Sequence, residues 1–144
     1  MTLYLDTSSL VKLYVVEPGS ASVRGQVDAA NVVATSSIAY TETRAALARR
    51  RRERALTPAA FVAAKTAFDI DWPRYLSVEV TADLCREAGE LAERYRLRAY
   101  DSVHLAAFAE VAREAGPRNT LFSSFDAVLE RAARLLGTAL ARAR

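Results

Sequence analysis

Short apolar runs alternate along the chain with segments whose apolar residues recur at helical spacing. The runs predict four buried strands, at about 2–6, 31–35, 76–80 and 120–123. The segments between them predict helices, several of which follow a Ser, Thr or Asp able to cap a first turn. Strands that alternate with helices predict an α/β fold with a mostly parallel central sheet of four or five strands.

The ends of the predicted helices are marked by capping residues and by Pro and Gly. Pro18 and Gly19 end the first helix, and Pro58 opens a later one. After Gly137 we expect a short edge strand or a frayed basic end. We expect helices at about 7–14, 20–29, 37–54, 58–71, 81–95, 100–115 and 124–136. Since neither a repeat nor a convincing linker divides the sequence, one domain over residues 1–144 is predicted.

Four acids lie directly beside this apolar sequence. Asp6 ends the first strand and Asp126 follows the fourth, whereas Glu42 and Asp101 lie early in helices. Carboxyl ends of parallel strands and helix N-termini meet at one edge of a sheet, so the four side chains are expected to converge. Carboxylates close to a core need a compensating cation. The set therefore predicts a divalent metal bound by oxygen ligands.

Each acid also has an ordinary structural interpretation. Asp6 and Asp101 can cap or open a helix. Ser123 and Asp126 have the spacing of a capping box, which makes Asp126 the weakest candidate when taken alone. Glu42 is the strongest, because it lies more than one turn into its helix, where the effect of the helix dipole has faded.

The single histidine and the single cysteine exclude several kinds of site. His104 shares an apolar helix face, which predicts a packing role rather than direct catalysis. One histidine excludes a two-histidine ribonuclease and a multi-histidine zinc site. Cys85, predicted to be buried, excludes an internal disulfide and a Cys-rich zinc site. The sequence has no P-loop and no Gly-x-Gly-x-x-Gly pattern, which argues against nucleotide cofactors.

Arginine dominates the basic residues of the chain. The net charge is only +3, but 18 of the 20 basic residues are arginine. Planar guanidinium groups suit phosphate, so a polyanionic partner is predicted, although GC-rich coding would produce the same bias. Arg94, Arg96 and Arg98 precede Asp101 and are the better-placed candidates. Arg49 and Arg50 open a run that is either a phosphate-binding rim or a solvated helix end.

Four segments together resemble the PIN-domain family, and VapC-type toxins in particular. The resemblance covers nearly the full length, in order, at the spacing found in such small domains. The segments are Tyr4-Leu5-Asp6-Thr7-Ser8-Ser9-Leu10-Val11-Lys12, Tyr40-Thr41-Glu42-Thr43-Arg44-Ala45-Ala46-Leu47, Leu97-Arg98-Ala99-Tyr100-Asp101-Ser102-Val103-His104-Leu105-Ala106-Ala107 and Phe122-Ser123-Ser124-Phe125-Asp126-Ala127-Val128-Leu129.

The resemblance implies a PIN-like three-layer α/β/α sandwich and a metal-dependent endoribonuclease, the toxin of a VapBC-type toxin–antitoxin pair. It also implies a homodimer, a small cognate antitoxin and tRNA or rRNA as substrate. Mg²⁺ or Mn²⁺ would be bound by the four acids, Asp6, Glu42, Asp101 and Asp126. A hydroxyl after the first acid (Thr7 or Ser8) and one near the fourth (Ser124) would support the site.

A metal-activated water as nucleophile predicts products with 5′-phosphate and 3′-hydroxyl ends. A non-catalytic PIN-like RNA-binding or scaffold protein remains the alternative. A receiver-like phosphoacceptor domain is disfavoured, because it needs a late lysine and none follows Lys65. Since no segment resembles a signal peptide or a membrane-spanning helix, we expect a cytoplasmic protein without a membrane partner.

Overall fold

Four parallel strands form the centre of the molecule in the computed structural model, which describes residues Met1–Ala143. The strands are β1 (Thr2–Leu5), β2 (Val32–Ser36), β3 (Leu76–Val78) and β4 (Thr120–Ser123). The α-helices are α1 (Thr7–Leu10), α2 (Ser20–Ala29), α3 (Ile38–Arg52), α4 (Pro58–Asp71), α5 (Ala82–Tyr95), α6 (Ala99–Ala115) and α7 (Ala127–Arg142). Short 3₁₀ segments cover Val11–Leu13, Trp72–Arg74 and Pro117–Asn119.

The strand order is β3-β2-β1-β4, so β1 lies between two partners. Leu3 is opposite Val33 of β2 on one side and Leu121 of β4 on the other. The chain adds β2 and β3 on one side of β1 and then crosses to place β4 on the opposite side. Strand order therefore reverses between β1 and β4, and ligands of open parallel sheets bind beyond the carboxyl ends of strands at such a point.

Helices cover both faces of the sheet, as the alternation of side chains along β1 requires. Tyr4 packs into a core formed with residues of α5, α6 and α7. Leu3 and Leu5 point the other way, into a core that includes Leu10 of α1 and Phe68 of α4. The predicted PIN-like three-layer α/β/α sandwich with a parallel sheet is confirmed, and the described sheet has four strands.

The prediction for the C-terminal tail is wrong, because α7 continues through Gly137 to Arg142. Because glycine destabilises the interior of a helix, the sequence favoured an end of this helix at Gly137. The helix continues because Leu136 and Leu140 both pack into the core that also contains residues of α6. A Cβ atom at Gly137 would lie 3.7 Å from the ring of Phe108, so this position lies against α6.

Three smaller predictions also differ from the structure. β3 ends at Val78 rather than at residue 80, and α7 begins at Ala127 rather than at residue 124. Cys85 is exposed, because α5 buries the neighbouring stripe of Leu84, Ala88 and Leu91 instead.

Within residues 1–143, no helix is both long enough and apolar enough to cross a membrane.

Candidate functional site

Asp6 lies at the carboxyl end of β1 and is almost completely buried, with 4% of its surface exposed. Its Oδ1 accepts hydrogen bonds from the Ser8 hydroxyl at 2.7 Å and from the Ser9 backbone N–H at 3.0 Å. The Ser124 hydroxyl donates to Oδ2 at 2.6 Å. Burial raises the pKa of Asp6 above its usual range, and these hydrogen bonds oppose that rise. A carboxylate is thus held in a fixed orientation at the strand-order reversal.

Two serines connect the end of β1 to the end of β4. The Ser124 hydroxyl, which donates to Asp6, also accepts a bond from the Asp126 backbone N–H at 3.0 Å. The Ser8 hydroxyl accepts from the Phe125 backbone N–H at 2.9 Å. Asp126 itself caps α7 by accepting from the Leu129 N–H at 2.9 Å. The first and fourth acids are therefore tied together by hydroxyls that the sequence analysis selected.

Glu42 on α3 faces the same edge through a second set of hydrogen bonds. Its Oε1 accepts from the Thr7 hydroxyl at 2.8 Å and lies 2.8 Å from Nε2 of His104. The other ring nitrogen, Nδ1, lies 2.9 Å from the Tyr4 hydroxyl. Burial, followed by the charges of Asp6 and Glu42, raises the pKa of Tyr4 well above its usual value. Tyr4 therefore keeps its proton, and Glu42 is positioned by a buried Tyr4–His104 pair.

Asp101 and Asp126 share one cation, the guanidinium of Arg98. Nε of Arg98 donates to Oδ2 of Asp101 at 3.0 Å, and its Nη2 lies 3.5 Å from Oδ2 of Asp126. Arg98 is also the N-cap residue of α6, without a side-chain capping bond. The hydrogen bond from Arg98 to Asp101 raises the pKa of the guanidinium above its ordinary value. A positive charge thus lies where two of the four acids approach each other.

Together, these contacts place all four acids at the carboxyl edge of the sheet. Asp6 connects to Asp126 through Ser124, Asp126 connects to Asp101 through Arg98, and Glu42 connects to the β1 end through Thr7. As arranged in residues 1–143, no three His, Cys, Asp or Glu side chains are close enough to form a ready-made metal site. Instead, at least one oxygen of each of the four carboxylates contacts a protein donor.

The donor set nevertheless fits Mg²⁺ or Mn²⁺. Carboxylate oxygens are the hard ligands that these ions prefer, and such ions use few protein ligands beside water. The guanidinium of Arg98 already lies between Asp101 and Asp126, so the two acids attract positive charge to this position. Asp6, Glu42, Asp101 and Asp126 are the residues that could bind the ion, once the guanidinium of Arg98 moves away from Asp101 and Asp126.

The capping role considered for three of the acids holds for two, and it is wrong for Asp101, which lies in the first turn of α6 after the N-cap residue Arg98. Asp6 caps α1 and Asp126 caps α7. The capping-box interpretation of Ser123 is wrong, because its hydroxyl contacts Ser9 and Gln26. Neither the bridging position of Arg98 nor the contact of Tyr4 with His104 was predicted from the sequence. The spacing of Arg98 and Asp101, three residues apart across a helix start, was the available signal for the first.

The two arginines selected at the end of α3 are paired with acids. Arg49 bonds Glu53 at 2.8 Å, and Arg50 bonds Glu17 at 2.9 Å. Glu17 also pairs with Lys12 at 3.0 Å, and the two cations on Glu17 hold its pKa below the usual range. These pairs favour the interpretation of this run as a helix end over a phosphate-binding rim.

Comparison with known proteins agrees with the observed fold. The sequence matches the PIN domain family over residues 3–135. Two proteins of Mycobacterium tuberculosis, Ribonuclease VapC45 (strain CDC 1551 / Oshkosh) and Ribonuclease VapC49 (strain ATCC 25618 / H37Rv), are each 38% identical over 104 residues. The aligned region is 72% of this chain and 72% of each relative. The chain therefore belongs to the PIN-domain family and, within it, to the VapC-type proteins.

Proposed function

We propose that this protein is a metal-dependent endoribonuclease, the toxin of a VapBC-type toxin–antitoxin pair, acting in the cytoplasm. The observation that carries the proposal is the set of four carboxylates at one sheet edge, in which Asp6 is buried and Asp101 shares a cation with Asp126. The names of the two mycobacterial relatives supply the substrate class, RNA.

In this proposal the four acids bind Mg²⁺ or Mn²⁺. The bound ion supplies positive charge for the phosphate and makes an attacking water more acidic. Ser8 and Ser124 hold the Asp6 carboxylate in its orientation, because both donate to it. Thr7 and His104 hold Glu42 in the same way. Arg98 lies at the exposed rim, with 65% of its side chain accessible, and can donate to a phosphate oxygen.

Protein stripped with EDTA is expected to cut total RNA only after Mg²⁺ or Mn²⁺ is added. Since water rather than the 2′-hydroxyl attacks, the fragments should carry 5′-phosphate and 3′-hydroxyl ends. Adaptor ligation with and without prior phosphatase or kinase treatment measures these ends. Fragments with 2′,3′-cyclic phosphate, or undiminished cleavage in EDTA, would contradict the proposal.

Replacing Arg98 with alanine is expected to tighten Mn²⁺ binding a few-fold. The guanidinium contacts Asp101 and Asp126, so a metal ion must displace it, although an exposed pair offers modest resistance. Titration of Mn²⁺ followed by electron paramagnetic resonance gives the affinity. Arg86→Ala is the matched control, because Arg86 also pairs with an acid three residues away and is similarly exposed. Equal changes in both variants would assign the effect to net charge.

The alternative is a PIN-like RNA-binding or scaffold protein without catalysis. Such a protein would bind RNA but leave it intact with either metal.

The proposed partners are tested separately. Growth arrest on expression, relieved by a small adjacent open reading frame, is expected of a toxin with its antitoxin. Light scattering after size exclusion is expected to give the mass of a homodimer, and sequencing of the fragments would identify tRNA or rRNA as substrate.

A further inference from the structure

A small basic pocket, here called the α5–α7 pocket, lies between the end of α5 and the start of α7. Its volume is about 230 Å³. Three of its seven lining residues are arginines, and none is acidic. The lining residues are Arg94, Tyr95, Arg96, Val128, Arg131, Ala132 and Leu135. An open pocket with this lining suits a compact anion.

Within residues 1–143, none of the three pocket arginines takes part in an ion pair or a side-chain hydrogen bond. Other arginines are neutralised by acids, as Arg86 is by Asp83 and Arg50 is by Glu17. Three unpaired guanidinium groups in one pocket therefore produce a local positive potential.

Arg96 occupies a backbone conformation that favours glycine. It ends α5 with φ at +55°, in the left-handed region, where an L side chain is disfavoured. Glycine at this position would remove that cost. A long cationic side chain is present instead, and conformations of this kind concentrate at functional positions.

Each wall of the pocket lies close in sequence to residues at the acids, Arg98 on one side and Asp126 on the other. Arg96 lies two residues before Arg98, and Arg98 contacts Asp101 and Asp126. On the other wall, Val128 follows Asp126 by two residues. Two residues of extended chain span at most about 7 Å. A strand with one phosphate at the acids would thus have a neighbouring phosphate within reach of the pocket.

We propose that the α5–α7 pocket is a phosphate subsite that holds the RNA backbone beside the cleft. The identification of the strand as RNA rests on the proposed ribonuclease function. Arg94, Arg96 and Arg131 donate to backbone phosphate oxygens, and no base is read. The subsite consequently contributes affinity that is independent of sequence and sensitive to salt.

Binding of a labelled single-stranded RNA of about 20 nucleotides, measured by fluorescence anisotropy in EDTA, tests the subsite without metal-dependent cleavage. Arg96→Gly and Arg131→Gln are each expected to weaken binding about three- to tenfold and to reduce the salt slope by about 0.7. Arg96→Gly should also raise the Tm by about 2 °C, because the strained residue is replaced. Inorganic phosphate should compete with RNA only weakly, since it fills one subsite.

Two matched variants serve as controls. Arg54 is the other described arginine with positive φ, at +60°, and it follows α3 on the opposite face of the sheet. Arg54→Gly should raise the Tm similarly without weakening RNA binding. Arg86→Gln removes a paired charge from α5 and should leave RNA affinity unchanged. Equal losses in the controls would mean that binding follows net charge, and would overturn the proposal.

Unchanged RNA affinity in Arg96→Gly and Arg131→Gln would also overturn it, and is the result expected if the pocket serves an acidic segment of a protein partner. A parallel cleavage assay with Mn²⁺ separates this failure from failure of the proposed function. Cleavage by the wild type together with unchanged binding in the variants rejects the subsite alone. Absent cleavage together with weakened binding in the variants rejects the nuclease and supports the subsite.

Discussion

Asp6→Asn is expected to lower metal-dependent RNA cleavage by at least about a thousandfold. Asp6 is the most deeply buried of the four acids, and asparagine offers the metal no negative charge. A loss of about 4 kcal/mol of transition-state stabilisation corresponds to this factor, and a catalytic metal supplies several kcal/mol. Cleavage rates with saturating Mn²⁺ measure the effect. Asp28→Asn, an exposed change on α2, is the matched control and should retain full activity.

The same substitution should leave the protein folded and at least as stable. Asparagine can keep the cap, because its side-chain oxygen can accept from the Ser9 N–H as Asp6 does. Burial raises the folded-state pKa of Asp6 above its unfolded value. The ionised carboxylate therefore costs stability at neutral pH. This cost is relieved as the pH falls through the folded pKa and stays relieved below the unfolded pKa.

Thermal unfolding of metal-free protein between about pH 3 and pH 7 tests this sign. The difference in Tm between Asp6→Asn and the wild type should be largest at neutral pH and should shrink as the solution becomes acidic. A variant that is inactive but also largely unfolded would not support a metal-binding role for Asp6. Near wild-type cleavage by a well-folded variant would exclude Asp6 from the site.

His104→Ala is expected to lower the free energy of unfolding by about 3 kcal/mol, because it leaves a cavity and an unpaired buried hydroxyl. His104 is 2% exposed, and both ring nitrogens have partners, Tyr4 on one side and Glu42 with Thr7 on the other. For a protein of this size the Tm should fall by about 10 °C. Calorimetry or thermal denaturation followed by circular dichroism measures both quantities.

A double-mutant cycle with Tyr4→Phe provides the control. Tyr4→Phe removes the hydroxyl that His104→Ala would leave unpaired, so the double variant should lose less stability than the sum of the single variants. Residual cleavage at a temperature where the variants are folded is also informative. Unchanged stability with complete loss of cleavage would make His104 a catalytic group and contradict the packing role predicted from the sequence.

The layer architecture could be predicted from the sequence because it depends on local patterns. Four apolar runs separated by helical periodicities indicate a parallel sheet covered on both faces, and the structure agrees. The wrong predictions concern positions whose structure depends on packing against a neighbouring element. Gly137 weakens a helix in isolation, but packing of Leu140 keeps α7 intact. Cys85 lies beside a buried stripe, and only the rotation of α5 leaves it exposed.

The sequence by itself determined the residue types of the candidate site. The site consists of acids beside apolar sequence, at strand ends and helix starts: Asp6, Glu42, Asp101 and Asp126. Their placement can be read from the order of the elements along the chain. The tertiary structure alone decided which side chain contacts each acid. Ser124 reaches Asp6 across 118 positions, and His104 reaches Glu42 across 62. Strand order and helix rotation set such contacts, and no local pattern encodes them. Arg98 is the clearest case, since its bond to Asp101 is local but its approach to Asp126 requires β4 beside β1.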